Sequence, residues 1–338
     1  MTSNGYAGIR EGGPYFDDLS PGQVFDWAPV ATLSAGLAAA HQAVVGDRLR
    51  LALDADLAAA VLGGPGPLAY PGLVCDVAIG QSTLVTQRVK ANLFYRGLTF
   101  HRFPVIGDSL YTRTEVVGLR ANSVKPGRAP TGLAALRMTT IDQADRLVLD
   151  FHRCAMLPAS PGWNPDDAPS DDLSSIGADA APPAADPVGQ WDGEAFRTRV
   201  PGPHFDVGMA GRVLHSSADV VSNAPELARL TLNIAAAHHD WRSGGRRLVY
   251  GGHTIGLAFA QANRLLPNLA TVLGWESCDH TGPVYEGDTL YSLLQIESAE
   301  ASAHGGVLGL RSQVYAVSDT AGEPDRPVLD WRLRALHF

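Results

Sequence analysis

The chain has 338 residues, 45% hydrophobic and 18% charged, with a formal net charge of −9. At roughly 100–200 residues per domain this length predicts about two domains, and the composition is that of a globular protein with material for two cores. The acidic balance excludes the broad basic face that nucleic acid or an anionic membrane surface demands, while a few local arginines can still hold an anionic substrate.

In chain order, Met1 to Asp18 shows no basic segment followed by an apolar run, so no signal peptide is expected. A short strand is predicted near Val24 to Pro29. Ser34 then caps a helix from Ala35 to Val45. A second helix opens at Pro71 and runs to about Thr86; it is apolar nearly all round, which predicts burial. Strands follow over Leu110 to Leu119, Leu133 to Ile141 and Leu147 to Met156. From Pro158 to about Phe205 the chain is rich in Pro, Ala, Asp, Ser and Gly and reads as a linker. The order then recurs. A strand lies near Val213 to Ser217, and Ser222 precedes a helix over Ala224 to Leu232. A long apolar helix runs from Gly251 to about Leu266, before strands over Leu290 to Ile296, Val307 to Val317 and Val328 to Leu336. The most apolar stretch, Ile255 to Trp275, is broken by Gln261, Asn263, Arg264 and Pro267, so it reads as a buried helix, a loop and a strand, not a membrane span. Cys75, Cys154 and Cys278 are far apart and odd in number, which disfavours disulfides or a zinc site and suits a cytoplasmic protein.

The recurrence is also literal. Gly107-Asp108-Ser109-Leu110-Tyr111 returns as Gly287-Asp288-Thr289-Leu290-Tyr291, and Val148-Leu149-Asp150-Phe151 as Val328-Leu329-Asp330-Trp331, both at an offset of 180 residues. Pro71 and Gly251, which open the apolar helices, share that offset. The intervening Gly132-Leu133 and Gly306-Val307 differ by 174, so one hairpin is shorter and another longer by the same amount. A buried helix followed by an antiparallel meander is an α+β sheet wrapped around a helix. This is the hot-dog architecture, and two copies make a double hot-dog. The expected division is 1–158, a linker over 159–205, and 206–338.

Polar residues interrupt the apolar run before the second central helix. Asn233 and His238 lie five apart, followed by His239 and Asp240, and Tyr250-Gly251-Gly252-His253 opens the helix. This pattern resembles the MaoC-like hydratases and dehydratases. There an Asp and a His five residues on precede an apolar-apolar-His-Gly helix opening. Asn233 falls on the Asp, His238 on the His and Tyr250-Gly251 on the His-Gly pair. The Tyr15 to Gly22 opening and the Val45 to Asp54 run are also similar to the mesaconyl-CoA hydratase and β-hydroxyacyl-thioester dehydratase branch. In the first unit Asp47 falls on the acid position but Ala52 stands where the His belongs. The resemblance therefore implies one working site, in the second unit, with Asp47 and Tyr70 in a degenerate one.

The resemblance implies reversible hydration of a 2-enoyl thioester, with a coenzyme A thioester as substrate and no cofactor or metal. Such chemistry needs a base for water, an acid for the neighbouring carbon and donors for the enolate oxygen. His238 suits proton transfer, and the N–H of Gly251 at a helix head suits the oxygen. Tyr250, Gly252, His253 and Asp240 are expected nearby. Asn233 cannot act as a carboxylate base. Either His238 acts alone on a water that Asn233 orients, or Asp240 or His253 supplies the second group, or the site binds thioesters without hydrating them. Blander readings stand beside these: Asn233 as a backbone cap, His238 as a core histidine, and Arg48, Arg50, Arg246 and Arg247 as solvated surface instead of coenzyme A contacts. A thioesterase and a non-catalytic acyl-thioester binder are the alternative functions. A fused pair already satisfies sheet pairing within one chain, which fits a monomer, and a homodimer of chains is open.

Overall fold

The computed structural model describes residues 12–338 apart from 65, 165–167, 179, 181, 303, 304 and 321. The reading of the first residues as free of a signal peptide thus falls outside the described residues as far as residue 11.

The first unit begins with two short strands, β1 (Val24–Phe25) and β2 (Ala31–Thr32). Helices α1 (Ala35–Val45), α2 (Arg50–Leu53) and α3 (Ala55–Leu62) lead to the central helix α4 (Pro71–Gln81). Four long strands complete the unit: β3 (Ala91–Phe100), β4 (Ser109–Ala121), β5 (Thr131–Asp142) and β6 (Leu147–Pro158). A connection carrying α5 (Gly193–Arg199) follows. The second unit repeats the order with β7 (Val213–His215), β8 (Asp219–Val220), α6 (Ala224–Leu230) and the central helix α7 (Gly251–Leu265). It ends with β9 (Leu269–His280), β10 (Thr289–Ser302), β11 (Gly305–Ala316) and β12 (Arg326–His337).

The strands form one 12-stranded sheet in the order β1-β4-β5-β6-β3-β9-β12-β11-β10-β7, with β2 on β4 and β8 on β10. Each half has the same internal order, and the halves join where β3 pairs antiparallel with β9, Tyr95 opposite Cys278. Arg96 and Asp279 form an ion pair of 2.6 Å across that seam. This is the expected α+β double hot-dog.

The duplication reaches individual bonds. Gln81 at the end of α4 donates to the Leu110 carbonyl, and Gln261 in α7 donates to Leu290, each at 2.9 Å. Asp108 and Asp288 accept from Val105 and Tyr285 backbone N–H groups, at 2.9 and 3.0 Å. The rings of Phe16 and Phe205 lie over Gly132 and Gly306, where any β-carbon would strike them. The hairpin between β4 and β5 is long and that between β5 and β6 short, with the reverse in the second unit. Those lengths account for the 174-residue offset.

Several local expectations are corrected. Ser34 caps α1 by accepting from Leu37, but Asn223, with a left-handed φ of 58°, and not Ser222, precedes α6, and Pro225 sits in its first turn. The Pro/Ala-rich connection is no free tether. Leu173, Trp191 and Phe196 are buried. The Trp191 ring is 5.2 Å from Phe103 of the first unit and Phe196 5.1 Å from Phe338 of the second.

Candidate active site

Both central helices are buried against the sheet, and the segment before α7 docks on the end of α4. Ile234 N–H donates to Thr83 Oγ1 at 3.1 Å, and Ala236 N–H to the Gln87 carbonyl at 2.9 Å. Gly80 makes this contact possible: a β-carbon there would overlap the Thr231 carbonyl. Residues of both units thereby enclose a cavity of about 390 Å³. Asn233, His238, Tyr250, Gly251 and Arg246 line it from the expected set, with Thr86, Tyr95, Arg153 and His280.

His238 sits in a single 3-10 turn, Ala236–His238, and is 8% exposed. Its Nδ1 is 2.9 Å from the Leu248 carbonyl. A carbonyl only accepts, so Nδ1 carries the proton and Nε2 keeps its lone pair. Burial lowers the His238 pKa to about 4, the Leu248 bond opposing, so the ring is neutral at pH 7. A neutral imidazole with a fixed tautomer and a free Nε2 is the form a general base requires.

Asn233 is also buried, and its Oδ1 accepts from Ala235 N–H at 3.0 Å. That bond fixes the amide orientation and leaves Nδ2 as a donor with no acceptor among the described residues. Asn233 therefore both caps local backbone and offers a hydrogen bond in the cavity. His239 Nε2, 2.6 Å from the Asn233 carbonyl oxygen, braces the same segment.

As the first residue of α7, Gly251 has an N–H with no intrahelical acceptor, at the positive end of the helix dipole. A β-carbon on Gly251 would lie 2.6 Å from His280 Nε2. Tyr250 packs on His238 with ring centroids 5.7 Å apart, and its hydroxyl donates to Asp76 of α4 at 3.0 Å. Gly252 faces that same Asp76 and the Tyr250 ring and is outside the cavity lining.

The structure separates two expected residues from this group. Asp240 caps the turn Trp241–Ser243 and is held by Arg242 at 2.6 Å; the Arg242 bonds pull its pKa down to about 2. His253 is wholly buried beneath the helix head, and neither of its ring nitrogens has a partner among the described residues. Neither residue lines the cavity. Of the arginines, Arg246 lies 3.8 Å over the Tyr285 ring at the wall, while Arg247 pairs with Glu286 at 3.7 Å. Arg48 is exposed, and Arg50 donates to the Pro267 carbonyl; both are away from the cavity.

The matching place in the first unit is closed. Pro71 opens α4 and supplies no N–H. Tyr70 stacks on Phe259 at 5.7 Å, leaving only about 20 Å³ beside it. Asp47 is buried there, and desolvation raises its pKa to about 7.

Sequence reasoning missed Arg153 and His280. Arg153 breaks the inward row Leu149, Phe151, Ala155, Leu157 of β6. His280 stands where the repeat offset gives Phe100 in the first unit. A charge on a core-facing row and a polar residue at an asymmetric repeat position are signals a sequence does carry.

Fold and cavity together define a double hot-dog protein in which the second of two repeat-related sites is open and the first is closed. No family model matches the chain. It is 81% identical to RV0216, a conserved hypothetical protein of Mycobacterium tuberculosis with a double hot-dog fold, over 98% of this chain and 100% of that one, with a TM-score of 0.96. A candidate MaoC domain protein dehydratase from Chloroflexus aurantiacus shares the fold, with 24% identity, coverage of 100% and 99%, and a TM-score of 0.79. Among curated proteins, β-methylmalyl-CoA dehydratase of Chloroflexus aurantiacus is 28% identical over 91% of this chain and 89% of its own length. Mesaconyl-CoA hydratase of Cereibacter sphaeroides is 26% identical over 90% and 89%. With RV0216, the chain belongs to the double hot-dog proteins.

Proposed function

We propose that the chain reversibly hydrates a 2-enoyl thioester of coenzyme A to the 3-hydroxyacyl thioester. The observation that carries this reading is His238, neutral, with Nδ1 committed to Leu248 and Nε2 unbonded among the described residues, in one cavity with Gly251 at the head of α7. The names of the curated relatives, a CoA-thioester dehydratase and a CoA-thioester hydratase, support the same chemistry.

In the forward direction, His238 Nε2 takes a proton from water as the water oxygen bonds to C3. The C2–C3 π electrons move toward the thioester, and the resulting enolate oxygen is held by Gly251 N–H. The imidazolium then returns its proton to C2. Asn233 Nδ2 donates to the water oxygen and orients a lone pair toward C3, so no carboxylate is required. Dehydration is the reverse. Arg246 and Lys90, both in the cavity wall, suit the phosphates of the carrier. The reaction needs no further cofactor. Three free, buried cysteines support a reducing compartment such as the cytoplasm, and no described helix is long and apolar enough to cross a membrane. The continuous sheet across both units supports a monomer as the working form. Loss of enoyl-thioester ultraviolet absorbance with purified protein tests the reading. Saturable binding with no turnover would replace it with a carrier role, and release of free thiol with a thioesterase.

A further inference from the structure

The open site and its closed counterpart differ by two hydrogen-bond donors. Gly251, which opens α7 with a free N–H, corresponds at the 180-residue offset to Pro71, which has none. His280, at the end of β9, corresponds to Phe100. The two donors are neighbours in space: a β-carbon on Gly251 would lie 2.6 Å from His280 Nε2 and 2.7 Å from its Cε1. His280 is half-buried, lines the cavity and stands edge-on to Tyr95 with ring centroids 5.9 Å apart. Desolvation lowers its pKa to about 4, Asp279 opposing and His238 reinforcing, so the ring is neutral at pH 7 and carries one N–H. Nε2 is enclosed and has no partner among the described residues, whereas Nδ1 is not enclosed. An N–H buried without an acceptor is the costlier orphan, so the proton sits on Nδ1 and is offered to the cavity.

We propose that His280 is a further catalytic residue, its Nδ1–H donating to the thioester oxygen alongside the Gly251 N–H to complete a two-donor oxyanion site. This rests on the hydratase reading and adds a residue to it. As water bonds to C3, the C2–C3 π electrons move onto the thioester oxygen and both hydrogen bonds strengthen. The proton stays on Nδ1, and no bond to His280 is made or broken. A neutral imidazole held beside a helix N-terminus is a fixed dipole that needs no reorganisation as this charge develops. The competing role is packing, in which the ring only fills space between Tyr95 and the head of α7. Phe100 is fully buried at the repeat-related place, so the fold accepts a phenyl ring there. A packing role survives His280→Phe, and a donor role does not.

The test compares wild type, His280→Phe and His280→Asn in hydrating a panel of short, branched and long enoyl-CoAs, with melting temperatures recorded. The asparagine amide keeps an N–H near the place of Nδ1. On the best thioester, His280→Phe should lower kcat on the order of 10²-fold, the scale of one oxyanion donor, with KM within a few-fold, and His280→Asn should recover part of the loss. Butyryl-CoA, a saturated analogue that cannot be hydrated, reports the hydrogen bond without turnover. Its carbon-13-labelled thioester carbonyl should stretch at lower frequency when bound to wild type than to His280→Phe. Full kcat in folded His280→Phe, a loss carried by KM alone, or the same carbonyl frequency in both proteins overturns the proposal. Should the wild type hydrate no member of the panel, the hydratase reading fails by itself, and the butyryl-CoA band decides the role of His280. A lower frequency in wild type upholds the donor; equal frequencies, or no binding, overturn it. Should His280→Phe not fold, nitrogen-15 spectra of the wild-type histidines take its place. A protonated His280 Nδ1 that shifts when butyryl-CoA binds upholds the proposal, and a bare or unmoved Nδ1 overturns it.

Discussion

The imidazole of His280 lies against Gly251 so closely that a β-carbon on the glycine would come within 2.6 Å of Nε2. Glycine at this helix head is therefore required twice, once for access to its N–H and once to admit the ring. Gly251→Ala should displace His280 and crowd the oxygen site while the helix itself, which favours alanine, persists. The expected result is a loss of kcat on the order of 10²-fold, the scale of one lost oxyanion donor, with unchanged helical circular dichroism. Steady-state kinetics beside that spectrum checks it.

Gly80 governs how the two units meet. Its α-carbon passes beneath the Thr231 carbonyl, two residues before Asn233. Gly80→Ala must push backbone aside, not the tip of a flexible side chain. Overpacking of this kind costs about 1–3 kcal/mol, so urea unfolding should show at least that loss. Because the displaced segment carries Asn233 and His238, kcat should fall as well. A variant of full stability and full activity would contradict the close approach.

Asn233 has two separable roles. Asn233→Ala removes the bond to Ala235 and the cavity donor together, and should lower both stability, by about 1 kcal/mol, and kcat. Asn233→Asp keeps an oxygen to accept from Ala235 and should recover the stability. It replaces the donor with a carboxylate, so its pH–rate profile should gain an ionisation that the wild type lacks. Thermal melts and pH profiles of the two variants separate the roles.

Much of the fold is written in the 180-residue offset: the repeat alone pairs Gln81 with Gln261 and Asp108 with Asp288, and the structure gives each pair the same bond. The position of Gly251 was legible for the same reason. The grouping of Asp240 with His238 was not sound, because closeness in sequence says nothing of direction. Two successive tight turns, Ala236–His238 and Trp241–Ser243, send the carboxylate to the surface. Helices α2, α3 and α5 were also missed. They are short, and in α5 a single residue, Phe196, supplies the apolar anchor, which an average over a Pro/Ala-rich stretch conceals. For His280 the asymmetric repeat position marks the residue, but its approach to Gly251 depends on β9 ending beside α7, a relation between elements that no local pattern encodes.

Burial fixes the sign of the pH dependence of stability. His238, His253, His280 and His337 each fall from an ordinary 6.5 to about 4 in the fold, desolvation being the main cause. Between those values the unfolded chain binds more protons than the folded one, so stability rises with pH across this window and is lost as pH falls through it. Asp47 acts oppositely: its pKa rises from 3.8 to about 7, so its contribution declines as pH increases over that range. Four groups outweigh one, and the urea midpoint should climb from pH 4.5 to 6.5. A flat or falling midpoint would contradict the buried neutral histidines.

The most direct measurement is the decay of enoyl-CoA absorbance at neutral pH with wild-type protein and with His238→Ala. Turnover by the wild type, reduced on the order of 10²–10⁴-fold in the variant while thioester binding stays within a few-fold, is the outcome expected of a single proton-transfer group. Equal turnover by both proteins would remove His238 from the chemistry and, with it, the proposed mechanism.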